Sequence, residues 1–123
     1  MTGGKKDYLT LTENGEFHRA YARGVSRRDP ALVTYAVKNR RGCVRLGITT
    51  GKKIGNSVCR SRCRRVIRAA FMSLGGRVRS GYDYVFVART LTCEKKSTEI
   101  QKIMAAHLEK LGLLLPREGG ENA

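Results

Sequence analysis

The apolar residues of this chain recur with two different periods, and the switches between them mark out its elements. Phe17, Ala20 and Tyr21 fall at i, i+3 and i+4, one face of a short helix that Gly24 stops. Asp29-Pro30 makes a turn before Ala31 to Lys38, a Val- and Tyr-containing run that reads as a strand. Arg40-Arg41-Gly42 turns the chain again. Cys43 to Thr49 then alternates, with Val44, Leu46 and Ile48 on one face and Arg45 on the other. Tyr84 to Ala88 is apolar throughout, the pattern of a strand buried on both sides. The helical period returns in Ile100, Ile103, Met104, Leu108 and Leu111, with Gly112 as the stop. Residues 1–11 and the tail 116–123 read as loose ends.

A longer helix is expected between the second and third strands. Asn56 or Ser57 can cap it, because a short polar side chain accepts from the free N–H groups of a first turn, and Gly75-Gly76 ends it after about Ser73. At 100° per residue, Cys59, Cys63, Val66, Ile67 and Ala70 share one arc, the width of a core-facing stripe. Arg60, Arg64 and Arg68 form a second line, and Arg62 and Arg65 continue round the far side. The order of helix, strands, helix, strand and helix within 123 residues predicts one α+β domain, an α/β sandwich with helices on a small sheet and an ordered core over about 8–112.

Charge turns this fold into a functional reading. The net charge is +15, and between Pro30 and Tyr82 there are thirteen Lys and Arg and no acidic residue. Like charges in one place repel, so a solvated face normally mixes both signs. A one-sided run of this kind calls for a polyanion. Arg in particular grips phosphate through a planar fork and stacks on bases. Lys52 and Lys53 add charge ahead of the helix, whose N-terminus itself favours an anion. A membrane surface fits less well, because the apolar face of the arginine helix is needed for the core. No run approaches the roughly 18 apolar residues of a span, and no secretory h-region opens the chain, so the cytoplasm is expected.

Catalytic chemistry is hard to place on the protein. Asp7, Asp29 and Asp83 are scattered, and His18 and His107 stand singly, so neither a two-metal carboxylate site nor an acid-base pair is indicated. Gly47 to Lys53 resembles a phosphate-binding loop only distantly: its glycines are one residue too close, and Lys53 stands where a magnesium-binding Ser or Thr belongs. Cys43, Cys59, Cys63 and Cys93 lack the paired spacing of a zinc site and read as small buried hydrophobes, with no metal on the protein. Phe17 and Tyr21 share a helical face, and Val33 and Tyr35 share a strand face. From spacing alone these four are either core or a cleft on which unpaired bases stack, with core the simpler reading.

Lys52-Lys53-Ile54-Gly55-Asn56-Ser57-Val58-Cys59-Arg60-Ser61-Arg62-Cys63-Arg64-Arg65-Val66-Ile67-Arg68-Ala69-Ala70-Phe71 closely resembles the signature of the protein subunit of bacterial ribonuclease P. Phe17-His18-Arg19-Ala20-Tyr21-Ala22-Arg23-Gly24 looks like a second motif of that family, and the likeness extends over about residues 8–112. Two positions depart from it: Ser61 stands where the family has Asn, and Ala69 where it has Glu. The resemblance implies a left-handed β-α-β crossover, against the general right-handed rule, and a catalytic component made of RNA, with no catalytic residue on the protein. It implies that Lys52, Lys53, Gly55, Asn56, Arg60, Ser61, Arg62, Arg64, Arg65 and Arg68 bind that RNA. It also implies that Phe17, Tyr21, Val33 and Tyr35 hold the 5′ leader of precursor tRNA, and that magnesium is bound chiefly by the RNA. No protein partner is inferred. The competing readings are a structural RNA-binding protein and, against the missing carboxylate cluster, a protein-only nuclease.

Overall fold

The computed structural model describes residues 8–116. Among these, five strands and three α-helices follow one another along the chain: β1 (Leu9–Thr10), α1 (Asn14–Arg23), β2 (Val25–Asp29), β3 (Leu32–Lys38), β4 (Val44–Thr49), α2 (Ser57–Ser73), β5 (Tyr82–Ala88) and α3 (Ser97–Lys110). They form one mixed sheet in the order β1-β4-β5-β3-β2. β4 runs parallel to both β1 and β5, while β3 is antiparallel to both β5 and β2. This is the α+β architecture expected from the sequence, and α2 is the crossover between the parallel neighbours β4 and β5.

Side-chain alternation divides the sheet into two cores. Leu32, Ala36, Leu46, Tyr84, Phe86 and Ala88 pack against Cys63, Val66, Ile67, Ala70 and Phe71 of α2 and Ile100, Met104 and Leu108 of α3. On the opposite face Val37 and Val85 pack against Ala20 of α1 and Leu11, with Phe17, Tyr35 and Val87 around them. β5 is apolar at almost every position because it is central and covered on both faces.

Two glycines set how closely α1 lies on the sheet. A Cβ at Gly24 would stand 2.5 Å from the Ala20 carbonyl oxygen and 2.7 Å from that of Ala36, so only glycine lets the chain leave α1 here and enter β2. A Cβ at Gly47 would stand 2.6 Å from Cε1 of Phe17: the phenyl ring occupies the space a β4 side chain would fill.

The ends differ from the sequence expectation. Residues 1–7 and 117–123 lie outside the described residues, so the expected loose tail is represented by the exposed Pro116 alone. Residues 8–11 are not loose. Leu9 and Thr10 pair with Arg45 and Leu46, the Leu11 N–H donates to the Leu46 carbonyl at 2.8 Å, and Tyr8 and Leu11 are buried. A two-residue ladder to a partner far along the chain leaves no period to read. β2 was also invisible to periodicity: Val-Ser-Arg-Arg-Asp is an edge strand held by β3 alone, and it exposes nearly all its side chains.

Candidate nucleic-acid interface

α2 carries the cations where the helical wheel places them. Asn56 Oδ1 accepts from the Cys59 N–H at 2.9 Å, which caps the first turn. Gly55, with φ 141°, swings the chain into that cap from the short helical turn Lys52–Ile54, whose two lysines are exposed. Cys63, Val66, Ile67, Ala70 and Phe71 are buried, while Arg62, Arg65 and Arg68 are exposed and Arg60, Ser61 and Arg64 half-buried. Arg64 is steadied by Thr50 Oγ1 at 2.8 Å and Ser61 Oγ at 3.2 Å, so Ser61 orients an arginine of the face. Arg62 bends back and donates to the carbonyls of Cys93 at 2.6 Å and Lys95 at 3.4 Å. Among the described residues, every ion pair belongs to Arg45 or Arg19 with Asp83 or Glu16. No cation of α2 therefore has an acidic partner among the described residues, and Arg65 and Arg68 are exposed together with Lys52 and Lys53.

The four aromatic and aliphatic residues of the other expected site all lie on the α1 side of the sheet, in unequal exposure. Tyr21 is 40% exposed, Tyr35 and Phe17 are half-buried, and Val33 is 4% exposed. Tyr21 meets Tyr35 edge to face, with centroids 5.0 Å apart, and His18 flanks Tyr21 at 6.4 Å. Tyr21 and Tyr35 thus form an open aromatic surface, with Phe17 on Gly47 and Val33 set more deeply beside it.

A buried ionic cluster, which the residue pattern did not announce, fastens α1 in that position. Arg45 forks onto Asp83, Nε to Oδ1 at 2.7 Å and Nη2 to Oδ2 at 2.8 Å, and its Nη1 reaches Glu16 Oε2 of α1 at 2.8 Å. Asn39 Nδ2 donates to Asp83 Oδ1 at 3.0 Å, and Arg19 of α1 donates to the Lys38 carbonyl at 2.5 Å. Asp83 is fully buried, and burial opposes its charge. The hydrogen bonds from Arg45 and Asn39 outweigh that penalty and hold its carboxyl below the usual range. The signal available in the sequence was a lone Asp at the start of the apolar fifth strand and a lone Arg opposite the apolar face of an alternating one.

The remaining titratable candidates are structural. His107 is buried on α3, 2.8 Å from Thr34 Oγ1 of β3, and burial lowers its pKa. His18 is exposed on α1. Cys63 is buried as expected and its thiol is pushed up to about 11 by burial, but Cys59 is half-buried and touches Cys93 rather than lying in the core. Among the described residues no group of three His, Cys, Asp or Glu is placed to hold a metal, and no helix is long and apolar enough to cross a membrane.

The sequence profile of the Ribonuclease P family matches residues 6–112. The chain belongs to the ribonuclease P protein family. It is 40% identical over 110 residues to the ribonuclease P protein component of Clostridium beijerinckii, covering 84% of this chain and 88% of that protein. A Clostridium botulinum protein of the same name is 37% identical over 117 residues, covering 89% and 94%. The fold is similar to the RNase P protein of Staphylococcus aureus, with TM-score 0.76 and 27% identity over 86% of this chain and 97% of that one. The RNase P protein of Thermotoga maritima shares the fold at TM-score 0.68 and 24% identity, over 89% and 98%. Membership makes this chain one component of a ribonuclease ribonucleoprotein of tRNA processing.

Proposed function

We propose that the protein binds the catalytic RNA of ribonuclease P through α2 and holds the 5′ leader of precursor tRNA on the α1 side of the sheet, in the cytoplasm. The observation that carries this reading is the outward cationic face of α2, unpaired by any acid among the described residues, on a molecule that also presents an open Tyr21–Tyr35 surface. Guanidinium groups on one helical face reach successive phosphates. Exposed aromatic rings stack on unpaired bases, which a leader has and a folded tRNA mostly lacks.

The protein's contribution is electrostatic and positional. Lys52, Lys53, Arg60, Arg62, Arg64, Arg65 and Arg68 offset the repulsion between catalytic RNA and substrate. The aromatic surface adds binding energy to precursor and none to product, so mature tRNA is released. The α2 face offers guanidinium and ammonium groups rather than carboxylates, which does not suit a magnesium ion. We therefore assign magnesium to the RNA phosphates, and the hydrolysis to the RNA.

The test is cleavage of 5′-labelled precursor tRNA at low magnesium by the protein alone, by a bacterial ribonuclease P RNA alone and by both. Cleavage at the mature 5′ end in the combined reaction only is the expected result. Cleavage by the protein alone would overturn the assignment of the chemistry to RNA. Binding without stimulation would favour a structural RNA-binding role.

A further inference from the structure

Cys59 and Cys93 are 34 positions apart in the chain, yet their sulfurs approach to 2.7 Å. Unbonded heavy atoms settle at about 3.5–4.0 Å. A disulfide spans about 2.0 Å, so closing this gap takes a movement of about 0.7 Å. The two backbones are held in place by bonds that do not involve sulfur. Cys59 lies in the capped first turn of α2. Cys93 lies in the short helical turn Thr92–Glu94, where Thr92 Oγ1 donates to the Ala31 carbonyl at 2.6 Å and accepts from the Arg89 N–H at 2.8 Å. Arg62 Nε, donating to the Cys93 carbonyl at 2.6 Å, ties that turn to α2. Both thiols are half-buried and so within reach of a small solute, whereas Cys63, one helical turn further on, is buried.

We propose that Cys59 and Cys93 form a thiol–disulfide exchange site that accepts a low-molecular-weight disulfide, such as oxidised glutathione, and resolves it into an intramolecular Cys59–Cys93 bond. One thiol of the pair loses its proton and attacks the small disulfide. A protein–glutathione bond forms, the glutathione S–S bond breaks, and one glutathione thiolate leaves and takes up a proton. The second cysteine, deprotonated in turn, attacks the protein sulfur of that mixed disulfide and expels the other glutathione as thiol. The protein pair loses two electrons, and one glutathione disulfide becomes two thiols. The resolution has a consequence that rests on the RNA-binding reading. A glutathione left on Cys59 sets a bulky, net negative group beside Arg60 and Arg62, while the short internal bond adds no charge beside them.

The full-length protein, treated with excess oxidised glutathione under native conditions, is followed by intact mass and peptide mapping. The expected product has lost two hydrogens, carries no glutathione and yields a peptide linking Cys59 to Cys93. C93S is expected to retain one glutathione on Cys59, C59S one on Cys93, and C43S to behave as the parent; melting curves before treatment show that each variant is folded. A parent protein that stays unmodified, keeps a stable adduct, or joins Cys43 or Cys63 instead overturns the proposal. In a parallel arm, the cross-linked protein binds ribonuclease P RNA within about twofold of the reduced form, and the C93S adduct binds several-fold more weakly. If the mapping holds and the adduct binds RNA undiminished, the exchange site stands and the RNA assignment of α2 falls.

Discussion

Tyr21 is the residue through which the leader-binding proposal is most directly tested, because it is exposed and meets Tyr35 edge to face. A base stacked on an aromatic ring is worth about 1–3 kcal/mol. Y21A is therefore expected to weaken precursor binding by roughly 5- to 150-fold and to leave mature tRNA nearly unchanged, measured as the two dissociation constants side by side. Equal losses for both RNAs would make Tyr21 a packing residue. Asp83 offers the opposite case, a residue no RNA can reach. D83N takes from buried Arg45 its forked partner and leaves it the Glu16 contact, and breaking a buried pair costs up to about 3–5 kcal/mol. A lowered denaturant midpoint is the expected outcome, together with a weaker leader preference, since Glu16 and Arg19 lose the anchor that sets α1 on the sheet. A midpoint unchanged from the parent would remove this cluster from the account of how α1 is held.

α2 as an element is half core and half cation, and the RNA binding proposed for it depends on that division. R60A, R62A, R64A, R65A and R68A combined should leave the buried stripe intact while shrinking the salt dependence of RNA binding. Each phosphate contact contributes a slope of about 0.7–0.9, so five give a loss of about four units in the plot of log affinity against log salt. An unchanged slope would move the RNA face elsewhere. Arg62 is the arginine whose change should also disturb structure, since it alone is bonded to the Thr92–Glu94 turn. Much of this element was readable beforehand: its cap, its end and its two faces are local, set by Asn56, Gly75 and the 3.6-residue period. The contact of Cys59 with Cys93 was not, because a turn between β5 and α3 has to be brought back against α2 before the two sulfurs meet.

For the molecule as a whole, acid stability follows chiefly from the two buried groups whose folded pKa values are lowered. His107 has an ordinary value of 6.5, and burial against Thr34 keeps it neutral in the fold. The unfolded chain binds that proton more readily, so stability from this group is present above 6.5 and is lost as pH falls through that value toward the folded one. Asp83, with an ordinary value of 3.8, adds a second loss as pH falls below that range. The melting temperature should drop as pH falls from about 7.5 to 5.5, and H107Q should flatten that first step while leaving the second. A first step of the same size in H107Q would mean another group titrates there.

The amino-acid sequence determined by itself whatever depends on near neighbours. The three helices, the strands with an apolar period, the outward arginines of α2 and the need for an anionic partner all follow from spacing and charge over a few turns. Tertiary structure decided what depends on residues far apart in the chain. The pairing of Leu9 and Thr10 with β4 is of this kind, as is the docking of β2 on β3, which no period announces. Asp83 and Arg45 became a buried pair only when β4 and β5 came together, and Phe17 found Gly47 only when α1 crossed the sheet. A charge or a ring looks the same in the sequence whether it faces water or a partner. Burial and partnership are properties of the folded neighbourhood, and long-range packing is what settles them.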